Sequence, residues 1–277
     1  MGLINIILNL AGLLLWLGWR DRRADALTAN PTIPLARTLR RLGASEFTRW
    51  KYLGGLAALL ILRAVFYFWI GPAVKWTPHL QLGAIAPSFP SEHFWRMLLY
   101  SGLSFSLTLV TFYVSLLLLS VVNRQVPDGE PLQKFVRGYL GRVEHWPVAM
   151  KLFLPLAGAA LLWMLLSPLF VRMEMIPPVP AMGIRFRQGL LVGAGLCLAW
   201  KHVIAGVLLL HFLNSYVYLG NHAVLSFAAV TSRRILTLFH WLPLRIGRMD
   251  FTPVFAMVLV YLVAELIERW LPRIYPA

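Results

Sequence analysis

Residues 97–122 read MLLYSGLSFSLTLVTFYVSLLLLSVV and contain no Asp, Glu, Lys or Arg. About 20 consecutive apolar residues are enough for an α-helix to cross the hydrocarbon core of a bilayer. Inside lipid, each segment has to satisfy its own backbone N–H and C=O groups, which an α-helix does and an open loop does not. The run therefore predicts a transmembrane helix.

The rest of the chain has the same character. Of its 277 residues, 59% are hydrophobic and 13% are charged, whereas a soluble domain carries about 25% charged residues. The apolar runs are long and unbroken, unlike the short alternating segments of a membrane β-barrel. They predict an all-α, polytopic transmembrane helix bundle with about six spans, at residues 2–19, 51–71, 97–122, 147–171, 188–220 and 251–271.

The fifth run, residues 188–220, is longer than a bilayer requires. As a helix it would extend about 50 Å, against a hydrocarbon core of about 30 Å. It is nevertheless too short for two spans and a turn. Two alternatives follow: a strongly tilted helix, or a helix that extends into the cytosol.

The basic residues set the orientation. The net charge is +15, and three alternate loops carry seventeen Lys and Arg residues against seven on the opposite side. The positive-inside rule therefore predicts that these loops are cytosolic and that both termini lie outside. Because the charges flank apolar runs, they favour anchoring to anionic lipid over nucleic-acid binding. Arg20 follows the first run instead of preceding it, so this run is expected to be a retained span and not a cleaved signal peptide.

Two segments combine apolar residues at helical spacing with basic residues. In the first cytosolic loop, leucines at positions 35, 39 and 42 alternate with the arginines Arg37, Arg40 and Arg41. This pattern predicts a basic amphipathic helix that lies on the anionic inner leaflet; an ordinary cytoplasmic linker is the alternative. Residues 230–241 have the same pattern, with Arg233 and Arg234 opposite a set of apolar residues: Ile235, Leu236, Leu238 and Phe239.

Both ends of the chain share one organisation: an apolar span, a basic amphipathic segment and a second span. Such self-similarity is typical of an internal duplication. It predicts three parts: a first unit at residues 1–72, two additional spans at 73–187 and a second unit at 188–277.

The second unit contains RRILTLFHWLPLRIGRMDFTP, residues 233–253, which resembles the repeat of the YggT (also YlmG) family. That repeat has paired arginines, a Leu-Pro, a glycine, and an Asp-Phe-Ser-Pro that opens the next span. The first unit keeps LRRLG at residues 39–43 but lacks the Asp-x-x-Pro. The matching residues of the second unit, with Thr in place of Ser, are Arg233, Arg234, Pro243, Gly247, Asp250, Thr252 and Pro253.

The resemblance implies a non-enzymatic protein of the bacterial inner membrane. Its expected role is that of a scaffold or assembly factor in envelope homeostasis, through osmotic tolerance, cell division or membrane-complex maturation. Expected partners are anionic lipid of the inner leaflet, other membrane proteins or further copies of the chain, but not nucleic acid. The alternatives are an ion channel or transporter, and an accessory subunit of a larger membrane complex.

The signature also has a simpler interpretation that needs no family. Asp250 precedes the sixth span, where a carboxylate can cap the backbone N–H groups of a helix and is favoured by the helix dipole. Pro253 would lie in the first turn, where the missing N–H has no consequence. The signature would then fix where a membrane helix begins.

Four charged residues are expected inside spans, where a charge is costly: Arg63, Lys201, Glu265 and Glu268. Arg63 and the two glutamates lie at similar depth in repeat-equivalent spans, so a static bridge between them is expected. The alternatives are snorkelling to the outer interface and a role in an ion pathway. For Lys201, a hydrogen bond into the bundle interior is expected, and a proton or cation relay is the alternative.

The sequence contains no recognisable motif for catalysis or cofactor binding: it has no P-loop, dinucleotide fingerprint, His-Glu-x-x-His or nucleophile elbow. His202 and His211 are nine residues apart and face opposite sides of a helix, so they cannot ligate one metal together. Cys197 is the only cysteine and is expected to be a buried free thiol. We therefore predict that the protein is not an enzyme and has no cofactor.

Overall fold

The apolar runs fold as α-helices, as their burial in lipid would require. The computed structural model describes residues 2–25, 46–74, 76–82, 85–124, 131–178, 181–217, 222–239, 245–246 and 249–271. Two 3₁₀ segments, Gly141–His145 and Thr237–Phe239, separate some of the helices. The α-helices, in chain order, are α1 (Gly2–Asp25), α2 (Glu46–Ala73), α3 (Phe94–Val122), α4 (Pro131–Leu140), α5 (Val148–Arg172), α6 (Met182–Leu198), α7 (Trp200–Tyr216), α8 (Ala223–Leu236) and α9 (Thr252–Trp270).

The described helices include five stretches that are long and apolar enough to cross a membrane. Helix α9 is a sixth long apolar helix, but three of its last six residues are charged. Its uncharged part is therefore shorter than the roughly 20 residues of a full span. The prediction of an all-α, multi-pass membrane protein with about six spans is confirmed. The five stretches are Gly2–Arg20, Trp50–Ala73, Phe94–Val122, Val148–Arg172 and Met182–Tyr216.

The fifth run is not one continuous α-helix. It begins at Met182 instead of Gln188, and a break at Ala199 divides it into α6 and α7. At the break, the N–H of Ala199 donates to the carbonyl of Leu196 at 3.2 Å, and the N–H of His202 donates to the carbonyl of Ala199 at 3.1 Å. These bonds join residues three apart, as in a 3₁₀ turn. The choice between a strongly tilted helix and one that extends into the cytosol stays a prediction.

The chain forms two compact units. The first comprises Met1–Gln81, Ala86–Phe112 and Leu169–Pro178, and the second comprises Leu82–Ile85, Tyr113–Pro168 and Val179–Ala277. Helices α3 and α5 contribute to both units. These units follow the packing of the chain, whereas the predicted three parts follow the repeat, so the duplication and its bounds stay predictions.

In the first unit, α1 packs against α2 and α3 through small residues. A Cβ atom on Gly12 would lie 2.9 Å from the ring of Phe105, and one on Gly18 would lie 2.9 Å from the ring of Tyr52. Small residues let membrane helices approach closely, which matters because lipid provides no hydrophobic force between them. The two glycines therefore set how closely α1 lies to its neighbours.

In the second unit, α7, α8 and α9 pack around a buried cluster of Leu208, Ile235 and Ala256. Helix α6 lies directly against α5. A Cβ atom on Gly189 would lie 2.6 Å from the Cα of Ala160. A small residue therefore lets the backbones of α5 and α6 approach closely.

A short hairpin forms in the part of the chain that resembles the family repeat. The two-residue strands β1 (Arg245–Ile246) and β2 (Met249–Asp250) pair in antiparallel fashion. In this register, position 245 is opposite position 250. Several predicted features lie outside the described residues: Pro243, Gly247, and the basic segment with Arg37, Arg40 and Arg41.

Helix α9 begins immediately after this hairpin. Its first residue is Thr252, its cap position is Phe251, and Pro253 lies in its first turn. The predicted position of Pro253 is confirmed. The predicted N-cap at Asp250 is wrong by one residue, because Asp250 belongs to β2 and the backbone turns into the helix one position later.

Candidate functional site

Arg63 of α2 is the most deeply buried charge of the first unit, with 2% of its surface exposed. Its guanidinium Nη1 donates to Oδ1 of Asn9 at 2.7 Å, and its Nη2 donates to Oδ1 of Asn5. Asn5 and Asn9 are four residues apart on α1, so they present their side chains on one helix face. The planar fork of the arginine thus engages two acceptors on a neighbouring helix.

The same two asparagines continue the network to α3. Their Nδ2 groups donate to Oγ of Ser104, at 3.3 Å from Asn5 and 3.1 Å from Asn9. The rings of Tyr67 and Tyr100 lie 5.4 and 5.6 Å from the Arg63 guanidinium carbon. The cation is therefore accommodated by neutral oxygens and by aromatic faces, which attract cations within about 6 Å.

The expected bridge between Arg63 and a glutamate of the sixth span is wrong. Among the described residues, Arg63 forms no ion pair, and its Nε atom has no hydrogen-bond partner. Glu268 instead accepts from Lys201, and Glu265 accepts from Arg269. Both glutamates therefore pair with cations of the second unit.

Lys201 and Glu268 form an ion pair that joins α7 to α9. The Nζ–Oε1 distance is 2.6 Å, and the side chains are 15% and 39% exposed, respectively. Glu265 and Arg269 form a second pair at 3.1 Å, one turn apart on the exposed face of α9. Lys201 thus forms a hydrogen bond to a neighbouring helix, but its partner Glu268 is partly exposed, so the expected bond into the bundle interior stays a prediction.

The two histidines of the fifth run belong to no cluster of metal-ligating side chains within the described residues. Nδ1 of His202 lies 3.2 Å from the hydroxyl of Tyr261 on α9, while His211 accepts through its backbone carbonyl from Ser215. In the part of the chain that the structure describes, no three His, Cys, Asp or Glu side chains cluster to hold a metal ion. Cys197 is half-buried and is a free thiol.

A buried ionic cluster in the second unit was not predicted from the sequence. Lys151, at the start of α5, is 3% exposed. Its Nζ donates to Oγ of Ser120 at 2.7 Å and lies 3.3 Å from Oε2 of Glu144. The Ser120 hydroxyl donates in turn to the same carboxylate oxygen at 2.5 Å, and Arg137 lies 3.7 Å from the other oxygen.

A serine beside a lysine can act as a nucleophile and its base, as in Ser–Lys hydrolases. That chemistry needs a neutral lysine and an accessible hydroxyl. Here the Lys151 ammonium is paired with a carboxylate, and Ser120 is completely buried. The cluster therefore connects α3, the 3₁₀ segment Gly141–His145 and α5. The signal for it was the lysine four residues after Pro147, near the start of the fourth predicted span.

A third polar cluster connects α3, α4, α7 and α8. Nδ2 of Asn123 donates to Oγ1 of Thr231 at 2.8 Å, and both residues are completely buried. Nε2 of Gln133 lies 3.4 Å from the carbonyl of Asn123. The adjacent Ser232 donates to the carbonyl of Val207 at 3.0 Å. The helix that carries the signature arginines is thus fastened to its neighbours by its own polar residues.

The paired arginines of the signature lie in the last turn of α8. Cations are favoured there because the last carbonyls of a helix carry partial negative charge. Arg233 is exposed and Arg234 is half-buried. The residues of the predicted apolar face at 230–241 differ in burial, since Ile235 is buried inside the protein whereas Leu238 is 73% exposed.

The fold and these clusters define a class: a multi-pass α-helical membrane protein whose buried charges lie between helices. No protein-family model, curated protein or solved structure matches the chain.

Proposed function

We propose that this chain is a non-enzymatic membrane scaffold or assembly factor of YggT type in the bacterial inner membrane. In this role it would serve envelope homeostasis, through osmotic tolerance, cell division or the maturation of a membrane complex. Both termini would lie on the outer side, with the basic loops in the cytosol. The resemblance of residues 233–253 to the family repeat motivates the type and the location.

One observation carries the proposal: among the described residues, the buried cations Arg63 and Lys151 and the partly buried Lys201 are each bonded to side chains from another element. Arg63 bonds to asparagines of α1, Lys151 to Glu144 and Ser120, and Lys201 to Glu268. A buried charge without such bonds is costly in lipid, so the bonded pairs hold specific helices together. A transport pathway would instead require charges that face a wet cavity and exchange partners.

The cytosolic face would provide the contact with lipid and with partner proteins. Arg233 is exposed at the end of α8, where a cation can reach anionic headgroups or an acidic protein surface. Each basic residue near an anionic leaflet contributes about 1 kcal/mol of attraction. The basic segment with Arg37, Arg40 and Arg41 would add to the same surface.

Affinity purification of the tagged full chain from bacterial membranes tests this proposal. In mild detergent, we expect a defined set of membrane proteins or further copies of the chain to remain bound. The variant Arg233→Gln with Arg234→Gln should lose part of this set. Arg172→Gln, at the end of α5 on the predicted opposite side, is the matched control and should retain it. A chain that purifies alone and as a monomer would refute the scaffold role.

A further inference from the structure

A groove of about 220 Å³ lies in the second unit between the break in the fifth run and helix α9. Cys197 and Leu198 line it before the break, and Lys201 lines it after the break. On α9, Val263 and Ala264 form part of the opposite wall. Apart from Lys201, the lining side chains are apolar.

The interrupted helix is one reason that the groove exists. At Ala199 the hydrogen bonds join residues three apart, so the backbone changes its winding between Leu198 and Lys201. Small side chains at Cys197 and Ala264 leave further space. In membrane proteins, broken helices buried within the protein recur where a ligand binds.

The surroundings of the groove indicate what occupies it. Next to it, α9 exposes a row of large apolar side chains, with Val258 57%, Leu262 52% and Leu266 48% exposed. In a membrane protein, acyl chains cover such a face. The groove is smaller than the roughly 300–1,000 Å³ of pockets for drug-sized ligands, so it accommodates part of one acyl chain and not a folded cofactor.

The two ends of the groove differ in polarity. The ammonium group of Lys201 has three donors, and the structure assigns one of them to Glu268. Arg269, 74% exposed, follows Glu268 on α9. A ligand that combines a single acyl chain in the groove with phosphate oxygens beside Lys201 would match both features.

We propose that the groove binds one acyl chain of an anionic membrane phospholipid, with its headgroup phosphate beside Lys201. Lipid tails are as apolar as the groove, so burial alone gives no preference for this position over the bulk bilayer. Selectivity comes from the fit of the chain and from the Lys201 contact. The bound lipid would fasten α6, α7 and α9 together.

The only cysteine of the chain reports directly on the groove. The full chain in detergent is alkylated with N-ethylmaleimide, with and without dioleoylphosphatidylglycerol. With lipid at about ten times its dissociation constant, the free fraction falls about tenfold, and Cys197 should react about tenfold more slowly. An unchanged rate of alkylation would overturn the proposal.

A matched control separates the groove from general coating by lipid. In the variant Cys197→Ser with Leu262→Cys, the thiol lies on the exposed face of α9, outside the groove. Its alkylation should slow much less than that of Cys197. Equal slowing at both positions would mean that lipid covers the protein without binding in the groove, and the proposal would fail.

Filling the groove gives a second measurement. Val263→Phe places a larger side chain in the groove, and Leu262→Phe makes the same change one residue away on the exposed face. Native mass spectrometry should find one fewer retained lipid in the first variant only, with helix content unchanged in both. Retention of the same number of lipids by both variants would contradict the assignment.

Discussion

The guanidinium of Arg63 donates a 2.7 Å hydrogen bond to the side-chain carbonyl of Asn9, in the buried interior of the first unit. The bond joins α2 to α1, and Asn9 continues it to Ser104 on α3. A charge thus holds three helices together through neutral groups. Removing the Arg63 side chain leaves buried acceptors unpaired, whereas keeping it requires a cation to be buried.

Replacement of Arg63 by methionine should lower the stability of the protein by about 1–3 kcal/mol, the cost of leaving buried neutral acceptors without a donor. Arg63→Lys should not restore it, because an ammonium lacks the fork that reaches both asparagines. Thermal unfolding in detergent, followed by circular dichroism, measures both.

The triple variant Arg63→Met, Asn5→Leu, Asn9→Leu provides the control for this prediction. It removes the acceptors together with the cation, so its stability should recover to near that of the wild type. If Arg63→Met alone unfolds at the wild-type temperature, the network does not hold these helices.

Lys151 should behave in the same way in the second unit. Lys151→Met leaves the Glu144 carboxylate buried without its ammonium partner, and we expect a loss of about 3 kcal/mol. Ser120→Ala removes two hydrogen bonds, one accepted from Lys151 and one donated to Glu144, and should lower stability by about 2 kcal/mol, at about 1 kcal/mol for each. Chemical unfolding in mixed micelles measures the free energy of unfolding and distinguishes the losses of the two variants.

The double variant Lys151→Met with Glu144→Gln tests whether the pair acts as a unit. Because it removes both charges, it should be more stable than Lys151→Met alone. Simple addition of the two single effects would show that the residues act independently.

In α6, Gly189 is the position where an added methyl group should lower the stability of the protein most. Its Cβ would lie 2.6 Å from the Cα of Ala160, so the backbones of α5 and α6 would have to move apart. We expect Gly189→Ala to lower the free energy of unfolding by about 1–3 kcal/mol. Gly183→Ala in the same helix has nothing within 4 Å of its Cβ and should be neutral or slightly stabilising. Equal effects at the two positions would mean that the contact with Ala160 is not tight.

Some of this architecture could be predicted because lipid constrains the sequence so strongly. Long apolar runs have one solution in a bilayer, so the helices and the class of protein followed from composition alone. The beginning of α9 followed to within one residue from Pro253, whose fixed geometry suits a first turn. These features depend on residues that are close together in the chain.

The partners of the buried charges could not be predicted in the same way. Arg63 and Asn9 are 54 residues apart, and only the packing of α1 on α2 brings them together. No proline or glycine lies at or next to Ala199 to indicate the break. Lys151 lies inside the predicted span 147–171, but its partner Ser120 is 31 residues away in the chain. Helix packing, not local pattern, decides such contacts.

If the bonds of the buried charges only hold helices together, the protein should not conduct ions. We expect K⁺ and H⁺ flux into proteoliposomes to equal that of protein-free liposomes, because Lys201 is held by Glu268 at 2.6 Å. Fluorescent ion and pH indicators inside the liposomes provide the measurement. Flux above this level that falls in Lys201→Leu or Glu268→Gln would identify a pathway and favour a channel or transporter instead.

The basic segment with Arg37, Arg40 and Arg41 should bind anionic membrane through its charges. A peptide of residues 31–46 should partition onto phosphatidylglycerol liposomes, with the leucines in the interface and the arginines at the headgroups. Changing the three arginines to glutamine removes about 3 kcal/mol of attraction, at about 1 kcal/mol for each, and should weaken binding more than a hundredfold. The Arg→Lys peptide keeps the charge and should bind nearly as well as the original. If the glutamine peptide binds equally tightly, the segment is an ordinary linker and the lipid contact must come from elsewhere in the chain.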